Sequence, residues 1–140
     1  MRDYTCVRRA SASVKRGEKL HLDRRYQDAI ERFSEALTRL ASVPESTIVF
    51  GPLVVTRLRA LSGLAQAAGI AGDQGLAAST LGRLLEWLTD VRISLHATGR
   101  ASNVERHLGE WEAWARSYAD QGRPWTSAAT PPGPPARGGS

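Results

Sequence analysis

Residues 25 to 37 read Arg25-Tyr26-Gln27-Asp28-Ala29-Ile30-Glu31-Arg32-Phe33-Ser34-Glu35-Ala36-Leu37, and the spacing of their apolar members decides the fold class. Tyr26, Ala29, Ile30, Phe33, Ala36, Leu37 and then Leu40 recur every three or four residues, which paints one face of a helix. The other face carries Asp28 four residues before Arg32 and Glu35 four before Arg39. Acid before base at this spacing supports an exposed helix by about 0.3 kcal/mol per pair. Pro44 stops the stretch. Upstream, Val7, Ala10, Val14 and Leu20 follow a looser helical pattern that passes Gly17. The short link Asp23-Arg24-Arg25 predicts that the two segments form a hairpin.

A second hairpin is expected after Gly51. Pro52 suits a first helical turn, where its missing amide hydrogen has no partner to lose. An Ala/Leu-rich helix then runs from Leu53 to Ile70. The turn Gly69-Ile70-Ala71-Gly72-Asp73 offers glycines for a left-handed residue and an aspartate to cap the next helix. The return helix carries Ala77, Leu81, Leu84, Leu88, Val91 and Leu95 in one stripe and is expected to end near Gly99. A fifth helix is expected from Ser102, with Glu105 closing a capping box, through Val104, Leu108, Trp111, Ala115 and Tyr118 to Gly122. Nothing from Tyr4 to Gly122 reads as a strand, so the expectation is an all-α domain over residues 1–122. Residues 123–140 form a tail, and from Ser127 on it has four prolines, three glycines and no large apolar side chain. Such a segment cannot bury enough surface to offset its ordering, and disorder with polyproline II character is expected.

The hairpins superimpose at an offset of 48 residues, with Gly17 on Ala65, Ala29 on Ala77, Phe33 on Leu81 and Leu40 on Leu88. Small falls on small and large on large. Two antiparallel helices approach closely only where side chains are small, so Gly17 is expected to face Ala29, and Ala65 to face Ala77. In this pattern, and above all in residues 25–37, the chain resembles the tetratricopeptide repeat family. Leu64-Ala65, Ala67, Gly72-Asp73, Ala77, Leu81 and Leu84-Leu85 match the second unit.

The resemblance implies two antiparallel hairpins in a right-handed stack, with the fifth helix in the place of the family's capping helix. The concave side, lined by the first helix of each unit, would grip a peptide or partner helix without catalysis. Val14, Glu18, Ser62 and Gly63 occupy several places where a carboxylate-clamping version carries lysine or asparagine, so no such clamp is expected. Arg9, Lys15, Lys19 and Arg59 remain as candidate groove cations, which favour an acidic partner. Helical-repeat modules of this kind also accompany transcription activators. The alternative expectation is therefore a regulatory module that meets nucleic acid through its basic N-terminus.

Charge is concentrated there. Arg2, Arg8, Arg9, Lys15, Arg16, Lys19, Arg24 and Arg25 stand against Asp3, Glu18 and Asp23, which accounts for the whole formal charge of +5. The remainder is neutral, unlike a nucleic-acid binder that is basic over its whole surface, so a protein partner ranks above nucleic acid. The lone Cys6 and the lack of an apolar run of roughly 20 residues suggest a cytoplasmic chain with no membrane span. His21, His96 and His107 fall on different segments with no carboxylate at ligand spacing. No nucleophile, metal ligand set or phosphate loop is apparent, and neither an enzyme nor a cofactor is expected. Arg8-Arg9-Ala10-Ser11 matches a basophilic kinase pattern at Ser11, and Pro132 to Arg137 matches a Src-homology-3 ligand. Trp114 and Trp125 are candidate aromatic anchors for a partner. Two repeats bury less shared surface than three, so weak self-pairing through Trp114 and an exposed end face is a further expectation.

Overall fold

Turn chemistry and apolar spacing divide the described residues of the computed structural model into five helices: α1 (Arg2–Leu22), α2 (Tyr26–Leu40), α3 (Gly51–Ala71), α4 (Gln74–Ala97) and α5 (Asn103–Ala119). The structure describes residues 2–43, 51–97, 103–126 and 131–132. Among them there is no strand, and the fold is all-α. Pro44, Gly99, the Ser102 cap and most of the Pro/Gly tail lie outside the described residues.

α2 buries Ala29, Phe33, Ala36 and Leu40, the stripe expected from its spacing. Its charged face differs from that reading. Glu35 takes both Arg39, at 3.0 Å, and Arg32, at 2.9 Å, while Asp28 pairs with Arg25. Arg25 stands immediately before the helix and reaches Asp28, which leaves Arg32 to turn the other way. The two guanidinium groups, Arg39 first, hold the Glu35 carboxyl below its ordinary pKa.

Between α1 and α2 the ends meet in reverse order. Cys6 lies by Ser42, Gly17 by Phe33, and the His21 ring by Tyr26 at 5.2 Å, as an antiparallel hairpin requires. The link turns at Arg24, whose φ of 63° is left-handed without being glycine. Burial at this end holds the His21 imidazole below its ordinary pKa. Between α3 and α4 the turn is the one the residues predict. Gly72 takes φ 92°, and Asp73 Oδ1 accepts the amide of Leu76 at 3.1 Å, capping α4. Arg57 at the far end of α3 lies over the Trp87 ring of α4, so this pair is antiparallel as well. Arg92 joins Glu112 across α4 and α5 at 2.7 Å.

Two apolar cores result, and α3 serves both. Ala60, Leu64 and Ala67 enter the core shared with α1 and α2, whereas Leu58, Leu61 and Ala65 enter the core shared with α4 and α5. Every residue from Leu61 to Gly69 is buried. That is why this half of α3 carries no charge on any side, where an edge helix would show one apolar face.

The small-residue packing centres on an aromatic ring. A Cβ placed on Gly17 would stand 3.0 Å from the Phe33 ring, so Gly17 makes room for that ring. Gly63 of α3 lies on the same ring from the other helix. Ala29, Ala65, Ala77 and Leu81 are all buried, with Ala65 and Leu81 in the second core. Thr80 is fully buried, and its hydroxyl has no hydrogen-bond partner among the described residues. Thr80→Val, nearly identical in shape, removes that orphan. It is expected to raise stability by about 1 kcal/mol, read as a higher urea midpoint at unchanged slope.

Candidate functional site

The buried line of α1, Val7, Ala10, Val14 and Gly17, leaves the opposite side of the helix to solvent. That side carries Arg8, Arg9, Lys15, Arg16 and Lys19, all exposed, together with Thr5, Ala12 and Leu22. None of the five cations has an acidic partner among the described residues. Several other arginines are engaged: Arg25 by Asp28, Arg32 and Arg39 by Glu35, Arg92 by Glu112, and Arg116 by Glu112 and Asp120. Lys15, Arg16 and Lys19 border an open depression between α1 and α2, floored by Ala12 and Ser13 and closed on the α2 side by Arg32 and Glu35.

The four expected groove cations are therefore not one set. Lys15 and Lys19 share the depression, and Arg9 is exposed on the same helix. Arg59 lies in the seam between α3 and α1, where its Nε donates to Glu18 at 3.0 Å and a second nitrogen reaches the other carboxylate oxygen. A guanidinium held by both oxygens of a carboxylate is neutralised in place. Arg8 and Arg16 stood outside the expected binding set. Their signal was the helical spacing opposite the buried line, which places them beside Lys15 and Lys19.

A second depression, of about 330 Å³, lies between α2, α3 and α4 and is bordered by Leu37, Arg57, Arg83, Glu86, Trp87 and Asp90. Its charges are mixed and one of its two arginines, Arg57, lies over an indole, so it lacks the one-signed character of the α1 face.

Trp114 is 8% exposed, in edge contact with Trp111 and Trp125, and with Trp125 in place it offers no surface to a partner or to a second copy. Its expected role as an exposed anchor is corrected accordingly, because this face of α5 packs into the second core. Trp125 is half-buried and stacks on Tyr118, so packing against the helices continues past the boundary expected at residue 122. Ser11 lies half-buried within α1, next to the fully buried Ala10. A kinase that needs the stretch extended would have to pull Ala10 out of the core. Trp111 Nε1 donates to His107 Nε2 at 3.1 Å, which leaves Nδ1 to carry the proton of the neutral ring and to face Glu110 at 3.7 Å. Among the described residues no three His, Cys, Asp or Glu side chains gather as metal ligands would, and no helix is long and apolar enough to cross a membrane.

No protein-family model, curated protein or solved structure matches this chain.

Proposed function

We propose that this chain is a noncatalytic adaptor or scaffold of tetratricopeptide-like design that binds an acidic segment of a protein partner along α1. The carrying observation is the run of Arg8, Arg9, Lys15, Arg16 and Lys19 on one exposed helical face with no acidic partner among the described residues. Like charges three and four residues apart, as in Lys15, Arg16 and Lys19, cost a helix a few tenths of a kcal/mol, and an anionic partner removes that cost. Charge complementarity of this kind speeds encounter and selects partners by sign. A peptide laid along the concave side of a tetratricopeptide-like stack would need α3 accessible, and Leu61 to Gly69 are all buried. The reading therefore assigns the contact to α1 and its depression. The setting proposed is the reducing cytoplasm, where a partly accessible thiol such as Cys6 stays reduced.

The test is fluorescence anisotropy with a labelled 20-residue Glu/Asp-rich peptide. Lys15→Glu with Lys19→Glu is expected to weaken binding at least tenfold, about 1.4 kcal/mol, while Arg83→Glu at the other depression leaves it unchanged. Equal binding by all three chains would remove the site from α1. The same cations favour a second reading, a regulatory module that contacts nucleic acid. A duplex that binds more tightly than the peptide at physiological salt, with log K falling against log salt in proportion to about five phosphates, would put that reading first.

A further inference from the structure

The segment after α5 folds back onto the helices around one partly buried side chain, Trp125. Gly122, at φ 65°, turns the chain back at the end of the helix. The amide of Arg123 donates to the Ser117 carbonyl at 3.2 Å, and the Arg123 guanidinium lies over the Tyr118 ring at 5.2 Å. Arg123, Pro124 and Thr126 are exposed, whereas Trp125 between them is half-buried. Its indole stacks on Tyr118 with centroids 4.1 Å apart and planes 13° apart, and it meets the Trp114 ring edge-on at 6.0 Å.

The opposite wall is Gly69 of α3. A Cβ built there would stand 2.2 Å from Trp125 Cγ, so the missing side chain at position 69 is what admits the indole. Trp114 contributes a buried indole N–H with no acceptor among the described residues, so the segment now in place does not satisfy every polar group around it. A single aromatic anchor in a shaped socket, flanked by exposed residues and a proline and joined through a left-handed glycine, is how a short linear peptide binds a folded domain.

We infer that Gly69, Trp114 and Tyr118 form a peptide-binding socket, and that residues 123–126 are its tethered occupant, so that an extended segment bearing tryptophan after Arg-Pro competes with the chain's own tail. The socket lies between α3 and α5, away from the cationic face of α1, and the two readings stand or fall separately. A tether this short gives the internal segment an effective concentration in the millimolar range, so the free chain is largely self-occupied.

The test uses the full chain and a fluorescein-labelled peptide with the sequence of residues 121–132. Trp125→Ala, which empties the socket, is expected to bind this peptide at least tenfold more tightly than the wild type does. Binding should vanish when the peptide's own tryptophan is replaced by alanine, and when Gly69→Leu is added to fill the socket. In the wild-type chain, the Trp125 amide should exchange hydrogen at least a hundredfold faster than those of Trp114 and Tyr118, as a detachable segment requires. A folded Trp125→Ala chain that ignores the peptide at 1 mM overturns the inference. So does a Trp125→Ala chain that loses its helices, or a Trp125 amide that exchanges no faster than α5, because either makes this residue ordinary core.

Discussion

Phe33→Ala is expected to cost about 3–5 kcal/mol, which is a large part of the 5–15 kcal/mol that holds a typical domain together. Phe33 is 1% exposed and belongs to the first core. The size of the effect comes from what surrounds the ring. A cavity is expensive when its walls cannot move in, and here two of those walls are the glycines Gly17 and Gly63 on separate helices. Neither has a side chain to swing into the space, so the loss sits at the upper end of the range. Urea unfolding followed by far-ultraviolet circular dichroism measures it. A change below about 1.5 kcal/mol, half the lower bound for such truncations, would mean that α1, α2 and α3 do not close on this ring.

Gly63→Ala is the second large effect, and its sign is the opposite of what helix propensity predicts. Alanine is the better helix former by about 1 kcal/mol, and a glycine inside a helix such as α3 normally invites the replacement. At this position the new Cβ would stand 2.5 Å from two atoms of the Phe33 ring, inside any contact a real Cβ makes. The ring cannot retreat, since Gly17 already approaches it at the equivalent of 3.0 Å from the other side. Net destabilisation of about 1–3 kcal/mol is expected from overpacking after the propensity gain is subtracted. Gly82→Ala is the control. Nothing lies within 4 Å of a Cβ there, and stability should rise by up to about 1 kcal/mol. Phe33→Leu should restore part of what Gly63→Ala loses, because a shorter side chain vacates the contested space, and a double-mutant cycle reads that coupling.

These two substitutions also mark where reading the residues in order stops. The stripe in residues 26–40 was legible because a surface helix must put its apolar residues on one side, and Ala29, Phe33, Ala36 and Leu40 are indeed the buried ones. The cap at Asp73 and the left-handed Gly72 were legible because both are local: one side chain, one backbone angle, a few neighbouring amides. Gly17 was recognisable as a packing glycine, whereas the Phe33 ring lying against it was not, since Phe33 and Ala29 stand one turn apart on the same face. Gly63 carried no sequence signal of a packing role, because a glycine in an Ala/Leu-rich helix looks like mere composition until a ring from another helix is placed against it. Arg24 at φ 63° is a further case, as nothing about arginine foretells a left-handed turn.

The candidate surface divides in the same way. That the cations crowd the N-terminal quarter is clear from counting them, and helical spacing then puts five of them opposite Val7, Ala10, Val14 and Gly17. Which of them are left without an acid was not available from the order of residues. Arg59 and Glu18 are 41 positions apart and meet because α3 crosses α1. Trp114 and Trp125 both read as aromatic residues near the tail, and only packing separates the indole shut inside the second core from the one lodged on Gly69.

By itself, then, the order of amino acids determined the helices, the paired arrangement along the chain and the basic end, because each depends on periodicity, turn chemistry or charge within a few residues. Tertiary structure decided that α3 is the shared centre, that Phe33 rests between two glycines, and which charges are cancelled. Those outcomes depend on contacts between residues far apart in the chain, whose energies are set by distance in space and leave no mark at any fixed spacing along it.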